Sequence, residues 1–157
     1  LLTVTANPDY RVALCRERVM NSGQSCAEVT VVQNEDMMIG VGRPTLDTDA
    51  MFACDTAGFW GVYSEMGSVY HNNDSGDCGR DWQGMQPYET GDGLRRLLDS
   101  DAGTLTVKKN GTLLGVAVTS GLTGDLCWAV SCCGDAAGDA GDEGNSVRIK
   151  AVDPAEF

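Results

Sequence analysis

The chain is short of positive charge, with eleven Lys and Arg against 23 Asp and Glu and a formal net charge of −12. So anionic a surface excludes a nucleic-acid partner, because binding a phosphate backbone rests on cationic neutralisation. It also disfavours an anionic membrane surface. A protein or peptide partner with a basic face gains from this field, although solubility alone is a sufficient use of the charge. Long apolar runs are missing too. Nothing approaches the ~20 residues that cross a bilayer, so membrane insertion is not expected, and no signal-peptide core is visible. The first residue is Leu1, which fits either a removed targeting segment or a domain boundary.

Histidine is almost absent, His71 being the only one. Catalysis needs a nucleophile with a base, a metal cluster or convergent carboxylates. His71 stands beside Tyr70 in a polar stretch and reads as a surface hydrogen-bonding group, and no feature supports a Cys–His dyad. The Gly-rich stretches lack the phosphate-binding and dinucleotide-binding patterns, and paired carboxylates say little in so acidic a chain. No catalytic residue and no cofactor are therefore expected. The seven cysteines include no Cys-x-x-Cys and match no zinc spacing, so no metal site is expected either. Cys15, Cys26, Cys127 and Cys132 lie in or beside apolar runs, where a free thiol acts as a small core residue. Reduced thiols place the chain inside the cell, cytoplasmic or organellar, and not secreted. Cys132 and Cys133 should point to opposite faces of a strand, with a redox role as the minor alternative. Two glycosylation sequons, at Asn73 and Asn110, are read as unmodified.

What the chain does have is turns and alternation. Its 157 residues are the size of one domain, 42% are hydrophobic, and twenty are glycine. Ala27, Val29 and Val31 alternate with polar residues; so do Leu105 with Val107, and Val147 with Ile149 and Ala151. Each pattern predicts a half-buried strand. Met37–Val41, Gly115–Val118 and Leu126–Cys132 are short apolar runs that suit more deeply buried strands. Leu94–Leu98 is ambiguous, because Arg95 and Arg96 interrupt it and a helical turn would also fit. Asn110-Gly111 predicts a type I′ hairpin, since both residues tolerate positive φ. Many short strands separated by turns favour a β-sandwich or barrel over a βαβ fold. Residues 134–144 (GDAAGDAGDEG) have almost no bulky side chain and read as an exposed, mobile acidic loop. A calcium site there is disfavoured, because the spacing matches neither an EF-hand nor a Gly/Asp calcium roll. Trp60 and Trp128 fall within strand patterns and read as core, whereas Trp82 follows Arg80-Asp81 in a loop and reads as a candidate exposed anchor.

Taken in order, these blocks resemble the SPRY (B30.2-type) domain. Ser25–Gly42 (SCAEVTVVQNEDMMIGVG) is similar to that family's early strand pair, and Gly58–His71 (GFWGVYSEMGSVYH) to its Trp-Gly strand, turn and Tyr-bearing strand. Gly91–Gly115 (GDGLRRLLDSDAGTLTVKKNGTLLG) resembles its most diagnostic stretch, and Leu126–Ser131 with Ser146–Lys150 its last two strands. The resemblance covers about residues 7–152 of a single domain spanning 1–157. Asn7–Glu17 and Arg43–His71 also resemble the SPRY modules of SOCS-box proteins, although no such box follows here. Arg95 and Arg96 depart from the family pattern, and the acidic loop is longer than expected.

The resemblance implies an all-β, bent antiparallel β-sandwich of the concanavalin-like type, serving as a non-enzymatic protein-binding scaffold or adaptor. The binding surface it implies comprises Tyr70, Arg43 after the Ile39–Gly42 strand, Cys133 and Gly134 at the opening of the late loop, and Arg18 as a further, alignment-dependent member. Two other readings stay open. One is a structural subunit held permanently in a large, organellar assembly; the other is a glycan-binding lectin-like module, which rests on fold analogy alone.

Overall fold

The computed structural model describes residues 2–5, 11–34, 36–49, 53–72, 79–132 and 145–157. Its strands are β1 (Leu2–Thr5), β2 (Arg11–Leu14), β3 (Gln24–Gln33), β4 (Met37–Gly42), β5 (Phe59–Tyr63) and β6 (Val69–Tyr70). They continue with β7 (Gly93–Asp99), β8 (Thr104–Lys109), β9 (Thr112–Val118), β10 (Cys127–Cys132) and β11 (Ser146–Val152). Short 3-10 turns lie at Ala53–Asp55 and Pro154–Glu156. Two antiparallel sheets result. One runs β1-β11-β3-β7-β8-β9 and the other β2-β10-β4-β5-β6.

The alternation in the sequence is what lets the sheets close on each other. Val29, Val31, Leu94, Leu105 and Val147 of the larger sheet face Ile39, Val41, Trp60, Val62 and Trp128 of the smaller one. Each such side chain contributes roughly 1.5–3 kcal/mol by leaving water. A second, smaller core lies on the outer face of the five-stranded sheet, where Leu46 and Ala53 pack with Phe59, Met38 and Val12. This covering segment explains why every residue of β4 and β10 is buried. Alternation cannot show in strands enclosed on both faces.

One ambiguity in the sequence is resolved here and one reading changes. Leu94–Leu98 is no helical turn: it belongs to β7, where inward and outward residues alternate strictly and Arg96 points into the core. Gly115–Val118 is not deeply buried. It belongs to β9, the outermost strand of its sheet, with Leu113 59% and Val116 41% exposed. An apolar composition does not say how many neighbours a strand will have. Other local readings hold. Asn110 (φ 49°) and Gly111 (φ 81°) turn the β8–β9 hairpin. Asp99 Oδ1 accepts from the amides of Asp101 (3.1 Å) and Ala102 (2.9 Å), capping the turn after β7.

Candidate functional site

The smaller sheet ends at β6 and the larger at β9, and both strands border the same cleft. Between them the sheets leave a cleft of about 790 Å³, whose walls include Trp60, Val69, His71, Arg80, Trp82 and Ala117. The segment after residue 79 forms its rim. Arg80 is tied to β6 by two backbone hydrogen bonds with Val69, of 2.7 and 3.0 Å. The Trp82 indole donates from Nε1 to the carbonyl of Gly67 at 2.7 Å, so this tryptophan is half-buried and anchored rather than free. A Cβ on Gly84 would stand 2.0 Å from the Leu114 carbonyl oxygen, so only glycine permits the rim to cross β9 so closely.

The cleft wall carries an aromatic stack. Pairing of Gly61 with Tyr70 brings Trp60 beside His71, whose imidazole lies on the indole with centroids 4.2 Å apart and planes 9° from parallel. His71 Nδ1 is 2.8 Å from the carbonyl oxygen of Phe59. A carbonyl only accepts, so Nδ1 carries the proton and Nε2 remains an acceptor. Burial pushes the His71 pKa below its usual 6.5; the Phe59 bond opposes this, and the cationic Arg80 and Arg43 add to it. The ring is therefore neutral at physiological pH. Arg43 also reaches the stack, its guanidinium carbon 5.3 Å from the Trp60 ring centroid. Such a contact is worth roughly 0.5–1 kcal/mol where water still has access.

The residues expected to bind a partner are not brought together. Arg43 directs Nη1 to the carbonyls of Thr123 and Asp125, the latter at 3.2 Å, and so holds the loop before β10. Tyr70 points away from the cleft. It lies on the opposite face of β6 from Val69, and its ring meets Tyr63 edge-on at 5.5 Å. Arg18 is exposed in the turn after β2, beside a separate depression lined by Leu14, Cys15 and Trp128. Cys133 and Gly134 lie outside the described residues. The last residue of β10, Cys132, pairs with Met37, at the far end of β4 from Arg43. The acidic loop at 134–144 is likewise outside the described residues.

Sequence reasoning did not find the Trp60–His71 stack. Its only trace is parity, because the facing of two residues in different strands depends on a register that the turn between them decides. The five described cysteines, Cys15, Cys26, Cys54, Cys127 and Cys132, are free thiols. Burial raises the pKa of each, to about 11 for Cys54 and Cys127 and about 12 for Cys132. They stay protonated at neutral pH, which makes them poor nucleophiles and poor metal ligands. No group of three potential metal ligands occurs among the described residues. No helix among them is long and apolar enough to cross a membrane.

A family model described as the SPRY domain matches residues 28–139. The human HERC1 SPRY domain is similar in structure, with a TM-score of 0.73 at 21% sequence identity, covering 94% of this chain and 86% of that one. At that identity the likeness shows a shared fold. Comparison with curated proteins finds no match.

Proposed function

The chain belongs to the SPRY domain family, whose members generally act as protein–protein interaction modules, and we propose that it is a non-enzymatic module that holds a partner segment at the edge of the sandwich. The observation that carries this reading is the cleft between β6 and β9. It has an apolar wall of Trp60, Val69 and Ala117, with the polar groups of His71, Arg80 and Asp81 around it. A few placed polar groups around an apolar floor are what an anchoring side chain requires. A segment laid against the end of β6, past its bridge to Arg80, would meet His71 on one face and Tyr70 on the other. Arg43 contributes by fixing the loop at 123–125. The net charge of −12 favours a partner with surplus basic residues, through an attraction that salt weakens.

Peptides selected on the immobilised domain from a random library test this reading. Their affinities are measured calorimetrically for the unaltered domain, for the Arg43→Ala/Tyr70→Ala double variant and for Arg80→Ala, each shown to be folded by its melting curve. Loss of about 1–2 kcal/mol or more in either variant supports the proposed edge, given how few residues dominate an interface. Unchanged affinities in both would put the binding surface elsewhere. A chain that is soluble only when permanently associated would instead favour the structural-subunit reading, because obligate interfaces bury more apolar area.

A further inference from the structure

The outer face of the six-stranded sheet reverses the charge of the molecule. One continuous cross-strand row is formed by Lys150 of β11, Glu28 of β3, Arg95 of β7, Lys108 of β8 and Leu113 of β9. Arg148 stands one step along on the same face, across from Thr30. Four of the chain's eleven Lys and Arg residues are thus gathered on a face opposite the core. The carboxylates that answer them are few. Glu28 is bound to Arg95 at 2.5 Å. Asp99, at the strand end, is engaged with the amides of residues 101 and 102. Glu156, in the C-terminal turn, is exposed and adds some negative charge beside Arg95. Among the described residues Lys108, Arg148 and Lys150 form no ion pair. The ammonium of Lys108 lies over the Phe157 ring, 4.5 Å from its centroid.

Shape and apolar surface accompany the charge. Gly93 has no side chain, and between it and the Asn110-Gly111 turn a depression of about 260 Å³ opens, bordered by Arg95 and Lys108. Beside it, on β9, stand Leu113 and Val116, both exposed. Val116 closes a second row through Thr106 and Leu97. Strands lie about 4.8 Å apart, so the row from Lys150 to Lys108 spans roughly 14 Å, the reach of four or five extended residues. At physiological ionic strength charges are screened beyond about 8 Å, so an approaching group senses this face more than the distant carboxylates.

We propose that this face docks an acidic, partly apolar segment of a partner protein, laid across the strands with carboxylates on Lys108, Arg148 and Lys150 and an apolar side chain on Leu113 or Val116. This surface is separate from the β6–β9 cleft and does not depend on it. A polyanion such as nucleic acid would need neutralisation over a longer stretch than these four cations supply, and would meet the anionic remainder of the molecule.

The test uses a fluorescein-labelled peptide of alternating glutamate and leucine, followed by anisotropy at physiological and at high salt. Binding that disappears at high salt and weakens about tenfold or more in Arg148→Glu/Lys150→Glu is the expected result. Both substituted residues are exposed, so this variant should fold; adding Lys108→Glu should weaken binding further. Arg80→Ala, in the cleft wall, should bind the peptide unchanged, which separates this surface from the cleft. Affinity indifferent to the charge reversal would overturn the proposal. So would a DNA duplex that binds more tightly than the peptide and is lost in the same variant.

Discussion

Arg96 of β7 stands directly across from Ala27 of β3, and the side-chain volume missing at Ala27 leaves a guanidinium room between the sheets. On its other side the cross-strand neighbour is Val107, again smaller than the arginine. Arg96 is wholly buried, and no hydrogen bond of acceptable geometry reaches its Nε or either Nη. Burial pushes its pKa down to about 10, and of the polar groups around it only Tyr88 favours the charge. The Tyr88 hydroxyl shares its one hydrogen between the carbonyls of Val62 (2.8 Å) and Met37 (3.1 Å), so only its oxygen lone pairs face the guanidinium.

A buried charge without a full set of partners costs more than it returns. Arg96→Met keeps the length and apolar stem of the side chain and removes the charge. We expect it to leave stability unchanged or raise it, by about 1–4 kcal/mol. Urea unfolding at neutral pH measures this as a higher midpoint at constant slope. A loss of more than about 1 kcal/mol would mean that internal water or a rearranged carbonyl satisfies the guanidinium.

His71 supplies a prediction about pH. Its folded pKa lies below the usual 6.5, chiefly through burial, so between those two values the unfolded chain binds the proton and the folded one does not. Stability is then highest above 6.5 and falls as pH drops from there through the folded pKa. Carboxylates titrate at still lower pH and act in the same direction, so the comparison must be made between proteins. The loss of melting temperature from pH 7.5 to pH 5.5, values chosen to bracket the usual imidazole range, should be smaller in His71→Phe than in the unaltered chain. Equal losses would show that the imidazole is not held neutral by its surroundings.

Gly40 lets β4 and β5 approach closely. It pairs with Gly61, and a Cβ placed on it would stand 1.7 Å from the carbonyl oxygen of Trp60. No side-chain rotation relieves a clash with backbone. Gly40→Ala should therefore cost at least about 2–3 kcal/mol, the upper range for overpacking, whereas Gly111→Ala meets nothing within 4 Å and pays only for its positive φ. Thermal melts of the two variants give the comparison. A mild effect at Gly40 would mean that the sheet can shift there.

Much of the fold was legible because the strands of the larger sheet advertise themselves. Ala27, Val29 and Val31 in β3, and Leu105 and Val107 in β8, face one core and alternate with solvent-facing residues. Asn110-Gly111 fixes a hairpin by φ alone. The smaller sheet was legible only as apolar runs, since Leu46 and Ala53 bury its outer face as well. The resemblance to a family, not periodicity, drew attention to Ile39-Gly40-Val41 and to Tyr70. What stayed hidden was everything that depends on register and edge position. Nothing in Val116 or Leu113 marks β9 as the last strand. The cationic row over β11, β3, β7 and β8 comes from four segments scattered between residues 28 and 150, and only pairing makes it a surface.

The last prediction concerns the connection between β10 and β11, residues 134–144. Its side chains are too small to bury much apolar area, so little stability should rest on them. Its two described neighbours are well held. Cys132 pairs with Met37 and Arg11, and Asn145 exchanges hydrogen bonds with the backbone of Asp36 at 3.1 and 2.9 Å. Replacing residues 136–143 by a short Gly-Ser turn should therefore leave the melting temperature nearly unchanged, since each halving of a loop alters closure entropy by only about 0.6 kcal/mol. Asn145→Ala, by contrast, removes two hydrogen bonds at a buried position and should cost about 1–3 kcal/mol. The same replacement removes three carboxylates, Asp139, Asp142 and Glu143, and adding Asp135→Ser removes the fourth. Affinity for a basic peptide should then fall at low salt and converge with that of the unaltered chain at high salt. A large loss of melting temperature would make the segment structural. A folded variant with unchanged affinity at every salt concentration would leave it a passive connection, and the basic partner would have to be attracted by the rest of the surface.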